Sequence, residues 1–218
     1  MNQQDQEGVI QFQMEFAQAP PLPYGRLREI DAWRKILYLT RLIGQDPNRY
    51  DGFGYGNISQ WLGPRDASGQ RGWFVISGTQ TGHLADLTED HYATVLACHP
   101  GRNLVVAEGP ARPSSESMTH GAIYAADESV RSVIHVHSPH IWGSAQALDI
   151  LVTDESVAQG TPEMAEEVRR LFQETPVRER NIFVMGGHED GVVSFGQDIA
   201  EAGLVMIDYL ARALQLEK

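Results

Sequence analysis

Residues 130–143, VRSVIHVHSPHIWG, carry the pattern on which the fold turns. Val133, Ile134 and Val136 favour a strand, and on a strand residues two apart point to one side. His135 and His137 therefore project together, about 6–7 Å apart at Cα. The opposite face is apolar and asks to be buried. Ser138 and Pro139 then read as the cap and first residue of a helix. Two imidazoles at this spacing can converge on one ion at about 2.0–2.1 Å each. Alone, the pair is more often structural, because a metal site needs at least a third protein ligand.

Working outward, a third imidazole stands in VMGGHEDGVVSFG, residues 184–196. His188 follows an expected strand and sits in a glycine-rich corner. Glycines there let backbone and side chain approach a ligand closely. The plainer alternative is a hairpin turn. Upstream, RPSSESMTHGAIY (112–124) reads as a loop and a helix, capped by Ser114 or Ser115. Glu116 then falls in the first turn, where the helix dipole favours its charge. The serine hydroxyls and open amides beside it suit an anion. A capped helix with no ligand has the same features.

The rest of the chain sets the frame. The 218 residues are 42% hydrophobic and 21% charged, which is ordinary globular composition. One cysteine, Cys98, excludes an intrachain disulfide and makes a cytoplasmic home the default. The N-terminus lacks the basic and apolar regions of a signal peptide, and no apolar run is long enough to span a membrane. A net charge of −12 argues against nucleic-acid or anionic-membrane partners. It leaves room for a small anionic substrate.

Residues 1–24, rich in Gln and Pro, read as an N-terminal arm, flexible or lying on a neighbouring subunit. Residues 25–218 read as one domain. Leu27, Ile30, Trp33, Ile36, Leu37 and Leu42 mark one face of a helix, stopped by Gly44 and Pro47. GWFVIS, NLVVAE, DILVT, NIFVMGG and GVVSFG are expected strands. Thr88 is the expected cap of a helix running through HYATVLA. TPEMAEEVRRLF and residues 199–216 are further expected helices. Strands and helices mix without strict alternation, which implies helices covering an antiparallel or mixed sheet.

Taken in order, YGNIS (55–59), ISGTQTGHL (76–84), PSSE (113–116), HVH (135–137), TPE (161–163) and the late His188 with its glycines form a specific series. The series resembles the class II aldolase/adducin family, from about Trp33 to about Ala213. The resemblance implies a three-layer α/β/α sandwich around a central, mainly antiparallel sheet, assembled as a homotetramer. It implies His135, His137 and His188 as metal ligands and Glu116 as the catalytic acid/base. It implies a phosphate-binding site at Gly56, Asn57, Ser77, Gly78, Ser114 and Ser115. One departure stands out: in the family a glycine directly follows the late histidine, whereas here Glu189 and Asp190 intervene. Either a two-residue bulge keeps His188 on the metal, or Asp190 takes the ligand position.

The activity implied is a metal-dependent lyase, cleaving a carbon–carbon bond in a small hydroxy-carbonyl compound through a metal-stabilised enediolate. A sugar phosphate is the substrate class expected. The all-imidazole set favours Zn2+, with Mn2+, Co2+ or Fe2+ also acceptable. An epimerase or dehydratase would use the same site, with His140 or Tyr209 as a candidate second acid/base. A non-catalytic adducin-like interaction module and a closed structural metal site are the rivals from other classes. His83, His91 and His99 are expected to be solvated or held by local bonds. His120, one turn past Glu116, is expected to pack or to line the site.

Overall fold

The computed structural model describes residues 9–63 and 73–217. The chain begins with strand β1 (Gln13–Gln18), helix α1 (Tyr24–Leu39) and two short strands, β2 (Gly44–Gln45) and β3 (Gly54–Tyr55). Strands β4 (Asn57–Trp61), β5 (Phe74–Ser77), β6 (Tyr92–His99) and β7 (Leu104–Gly109) follow. Helix α2 (Ser117–Ala126) leads to β8 (Ser132–His137), α3 (Pro139–Gly143) and β9 (Leu151–Val152). Helices α4 (Pro162–Glu174) and α5 (Val177–Arg180), strands β10 (Ile182–Val184) and β11 (Gly191–Gly196), and α6 (Ile199–Leu216) complete it.

Among the described residues, nine strands form one sheet in the order β1-β7-β6-β5-β4-β8-β11-β10-β9. The sheet is mixed, which corrects the expectation of a mainly antiparallel one. Its inner neighbours run antiparallel, but β1 lies parallel to β7 at one edge and β9 parallel to β10 at the other. Both parallel pairs were hard to foresee. β1 comes from the segment expected as an arm, and β9 returns through α4 and α5.

Helices cover both faces. Alternate residues of β8 separate the two cores: Ile134 and Val136 pack with Leu27, Ile30 and Leu37 of α1 and Met206 of α6. Val133 packs with Met118 and Ile123 of α2 and with Val168 and Leu171 of α4. The helices owe their faces to spacing. On α4, Met164, Ala165, Val168, Leu171 and Phe172 are buried, one stripe at three-to-four intervals. Its entry follows the expected signal, with the Thr161 hydroxyl accepting from Met164 N–H and Pro162 in the first turn. The helix after β8 begins likewise, with Ser138 accepting from Ile141 N–H.

Two local expectations are corrected. Thr88 opens only a single turn, Glu89–His91, and Tyr92–His99 is strand β6 rather than helix. Tyr92, Thr94 and Val95 suit a pleated surface, and pairing with β5 and β7 on either side decides the outcome. The helix α2 is capped at Glu116, not at a serine. Ser114 instead accepts the Glu116 N–H at 3.2 Å, closing the turn that precedes the helix.

Candidate functional site

The site grows from the end of β8. His135 and His137 share the face of Val133, and both are buried. On the neighbouring strand β11, Gly191 lies opposite His137 and Val193 opposite His135. Gly191 has no side chain, and His188 uses that space. A Cβ at position 191 would sit 2.6 Å from His188 Cδ2, closer than atoms can approach. The close approach to His188 is therefore made by Gly191, while Gly186 and Gly187 are held as closely against Thr153 O and Val157 O.

The two acidic residues that follow His188 form a tight turn. Gly191 N–H donates to the His188 carbonyl at 2.9 Å, and Asp190 takes a left-handed φ of 63°. That conformation is open to Asp at modest strain. The turn keeps His188 beside the strand pair. Asp190 turns instead to Arg49 and Tyr50, and both bond to its Oδ2. The described residues place His135, His137 and His188 with one ring nitrogen each all within 4.8 Å of one another.

The arrangement fits a metal ion. His137 Nε2 and His188 Nε2 face each other at 3.0 Å. Two such nitrogens in contact call for a shared proton or a shared cation. Tetrahedral binding at about 2.0–2.1 Å would set them about 3.3 Å apart. The donor set is three imidazoles with no thiolate, which suits a borderline divalent ion that keeps open positions. His135 is oriented from behind: its Nδ1 lies 3.2 Å from the Asn57 side-chain amide, and Asn57 is its partner across β4. Rotating that amide by half a turn presents an oxygen to Nδ1–H and commits Nε2 to an ion.

Asn57 begins a chain of contacts through the segments expected to bind phosphate. Gly56 precedes it with a φ of 80°, and a Cβ there would meet Ile43 Cγ1 at 2.7 Å, so only glycine fits this turn. Ser77 Oγ accepts from Ile58 N–H at 3.2 Å. Gly78 forms an isolated bridge with Pro113, which leads into Ser114, Ser115 and Glu116. All three are buried, Glu116 to 1% exposure, at the N-terminus of α2. A carboxylate placed there is favoured by the helix dipole.

Below this layer, His120 Nδ1 lies 2.7 Å from Ser59 Oγ, which in turn lies 2.7 Å from the Tyr124 hydroxyl. Burial depresses the His120 pKa to about 3, so the ring is neutral at ordinary pH. The other histidines behave as expected: His83 Nδ1 bonds Gln80 O at 2.9 Å, and His91 Nδ1 accepts Thr88 N–H at 2.9 Å. Neither candidate for a second acid/base is among the three converging imidazoles, but His140 lines the same cavity as His137. Tyr209 packs in the core on the α6 side of the sheet. His140 is half-exposed and bonds Glu217.

Residues not anticipated from the sequence gather around His137. The Tyr50 ring stands edge-on to it at 4.4 Å, and the Tyr55 ring lies at 5.3 Å. Burial is the first cause raising the pKa of both Tyr50 and Tyr55, so both hydroxyls stay protonated. With Arg41, Arg49, His137 and Leu210 they line a cavity of about 330 Å³. Only the aromatic and glycine content of YDGFGYG hinted at them.

Residues 34–217 match the family described as class II aldolase and adducin N-terminal domain, and the chain belongs to that family. No curated protein matches it in sequence. Among solved structures, a sugar-phosphate aldolase from Thermotoga maritima superposes with a TM-score of 0.63 at 17% identity, covering 90% of this chain and 98% of that one. An L-fuculose 1-phosphate aldolase superposes at 0.62 with 18% identity, covering 90% and 88%. YgbL from Escherichia coli, for which aldolase, epimerase and decarboxylase are offered as alternatives, superposes at 0.60 with 15% identity, covering 88% and 87%. At such identities the likeness is one of fold. No helix of the described residues is long and apolar enough to cross a membrane.

Proposed function

We propose that the chain is a metal-dependent lyase of the class II aldolase type, cleaving a carbon–carbon bond in a small hydroxy-carbonyl compound, with a sugar phosphate as substrate class. The observation that carries this reading is the convergence of three buried imidazoles from β8 and the β10–β11 turn. His135, His137 and His188 would hold a divalent ion, with zinc favoured and manganese, cobalt or iron also suited to the donors. Such an ion, when bound, supplies Lewis acidity toward the oxygens of a hydroxy-ketone and offsets the negative charge that bond cleavage leaves on them.

The chain's own residues do the rest. Glu116 carries the proton at the carbon where the bond breaks. Its burial keeps bulk water from competing for that proton, and the α2 terminus offsets its charge. Gly56, Asn57, Ser77, Gly78, Ser114 and Ser115 grip the phosphate with hydroxyls, an amide and backbone N–H groups. Asn57 has a second task, because it also touches His135. The chain is read as a homo-oligomer, a tetramer, by likeness to the family.

The second reading is an epimerase or dehydratase on the same residues; YgbL, similar in fold, has epimerase and decarboxylase among the activities offered for it. A screen of ketose phosphates, followed by aldehyde release, separates the two. Purified protein is expected to contain about one divalent ion per chain. Glu116→Gln is expected to keep that ion and to lower turnover by roughly 10²–10⁴. Protein that takes up no metal on reconstitution would overturn the enzyme reading and leave an interaction module.

A further inference from the structure

The two acidic residues inserted after His188 have a partner in the chain. Arg49 Nη2 and the Tyr50 hydroxyl both donate to Asp190 Oδ2, and Asp190 is 3% exposed. Arg49 also approaches Glu189 at 3.7 Å and lies over the Tyr50 ring at 5.2 Å. The Asp190 backbone faces the other way: its carbonyl accepts from Ser138 N–H at 2.9 Å, the residue that follows His137. Asp190 is thus bonded to both segments that carry the facing imidazoles. The Tyr50 ring then stands against His137 itself.

Backbone conformation shows that this contact is held against a local preference. Tyr50 and Asp51 both have left-handed φ values, 52° and 54°. For a bulky residue such as Tyr that conformation is disfavoured and persists only where the surroundings impose it. Here the imposing contacts are the bond to Asp190 and the edge-on contact with His137.

We propose that Asp190, clamped by Arg49 and Tyr50, is a positioning residue for the histidine cluster and makes this chain's divalent-cation site depend on the 49–50 segment. The proposal rests on the reading of His135, His137 and His188 as metal ligands. Asp190 is not a ligand in it. It fixes the 188–191 turn against β8, so that His188 meets the strand pair at one distance. Partners of this kind usually contribute 10–100-fold to metal affinity.

The test is cobalt(II) titration of the full chain, read by visible ligand-field absorption, with thermal unfolding of the metal-free protein alongside. Asp190→Asn suits the left-handed backbone and keeps the shape, while it removes the charge and turns one acceptor oxygen into a donor. It is expected to weaken cobalt binding 10–100-fold and to alter the spectrum. Loss of a nearby negative charge would also weaken binding, so Arg49→Gln is the deciding variant. Through-space electrostatics alone predicts tighter binding once a cation is removed, whereas positioning predicts weaker binding. Tyr50→Phe keeps the ring and loses the hydroxyl, and is expected to fall between native and Arg49→Gln. Cobalt binding by Arg49→Gln equal to or tighter than native overturns the proposal, whether or not Asp190→Asn folds. His188→Ala is the control. If it loses cobalt while Arg49→Gln does not, the clamp fails alone. If His188→Ala also binds normally, the ligand reading itself fails.

Discussion

The two faces of β8 are equally buried and chemically opposite. Ile134 and Val136 face α1 and α6 in an apolar core, with the small Ser132 the one polar residue β8 adds to that face. Val133, His135 and His137 face the other side, where only Val133 is apolar. One face is stable because it excludes water. The other buries imidazoles, and each has an assigned neighbour: Asn57 for His135, His188 for His137. Burial without a partner costs a polar group several kcal/mol, so the polar face is tolerated only while its partners, protein or ion, are in place. Stability and chemistry are thus separated across one strand, residue by residue.

The widest separation should come from changing one residue on each face. His137→Ala removes one nitrogen of the proposed ligand set and is expected to weaken metal binding by at least about 10³-fold, some 4 kcal/mol, measured by competition with a chelator. Its metal-free stability should change far less. Ile134→Ala is the mirror image. It is expected to lower stability by about 2–5 kcal/mol in urea unfolding. The metal affinity of the folded fraction should stay within a factor of a few. If Ile134→Ala abolished metal binding in fully folded protein, the two faces would not be independent.

Gly191→Ala tests the seam between the faces and should have a smaller effect. Its new methyl would lie 2.6 Å from His188 Cδ2, so the ring or the turn must shift. The expected cost is about 1–3 kcal/mol. It should appear as weaker metal binding more than as lost stability, because His188 can swing out into the turn. A native metal affinity in this variant would show that His188 does not need its present position.

The apolar face was easier to foresee than the polar one, for physical reasons. Alternation on β8 and three-to-four spacing on α4 and α6 are local, and the elements formed where those patterns predict them. The histidines were legible as a set because H-x-H and a glycine-flanked histidine are short motifs. The clamp was not. Arg49 and Asp190 lie 141 residues apart, and nothing in either segment names the other. The chemistry of the residues favours His188 over Asp190, but that Asp190 turns to Arg49 and Tyr50 is visible only in the fold. β6 failed for the opposite reason: a genuine start signal at Thr88 was overridden after one turn by strands on both sides.

The smallest expected effect concerns another imidazole of this face. His120 bonds Ser59, whose cross-strand partner is Val133, and it lies outside the converging cluster. Its pKa falls from 6.5 to about 3 because burial disfavours the charged ring. The folded chain therefore keeps His120 neutral down to about pH 3, while the unfolded chain takes up a proton below pH 6.5. With more protons on the unfolded state, stability rises with pH across that window. The contribution is fully present above 6.5 and is lost as pH falls toward 3, by about 1.4 kcal/mol per pH unit. His120→Gln cannot titrate. Urea midpoints between pH 6.5 and 4 should fall less steeply for this variant than for the native chain, by the equivalent of one proton. Parallel slopes would mean that His120 reaches water in the folded state. The polar face would then be held by hydration rather than by its partners.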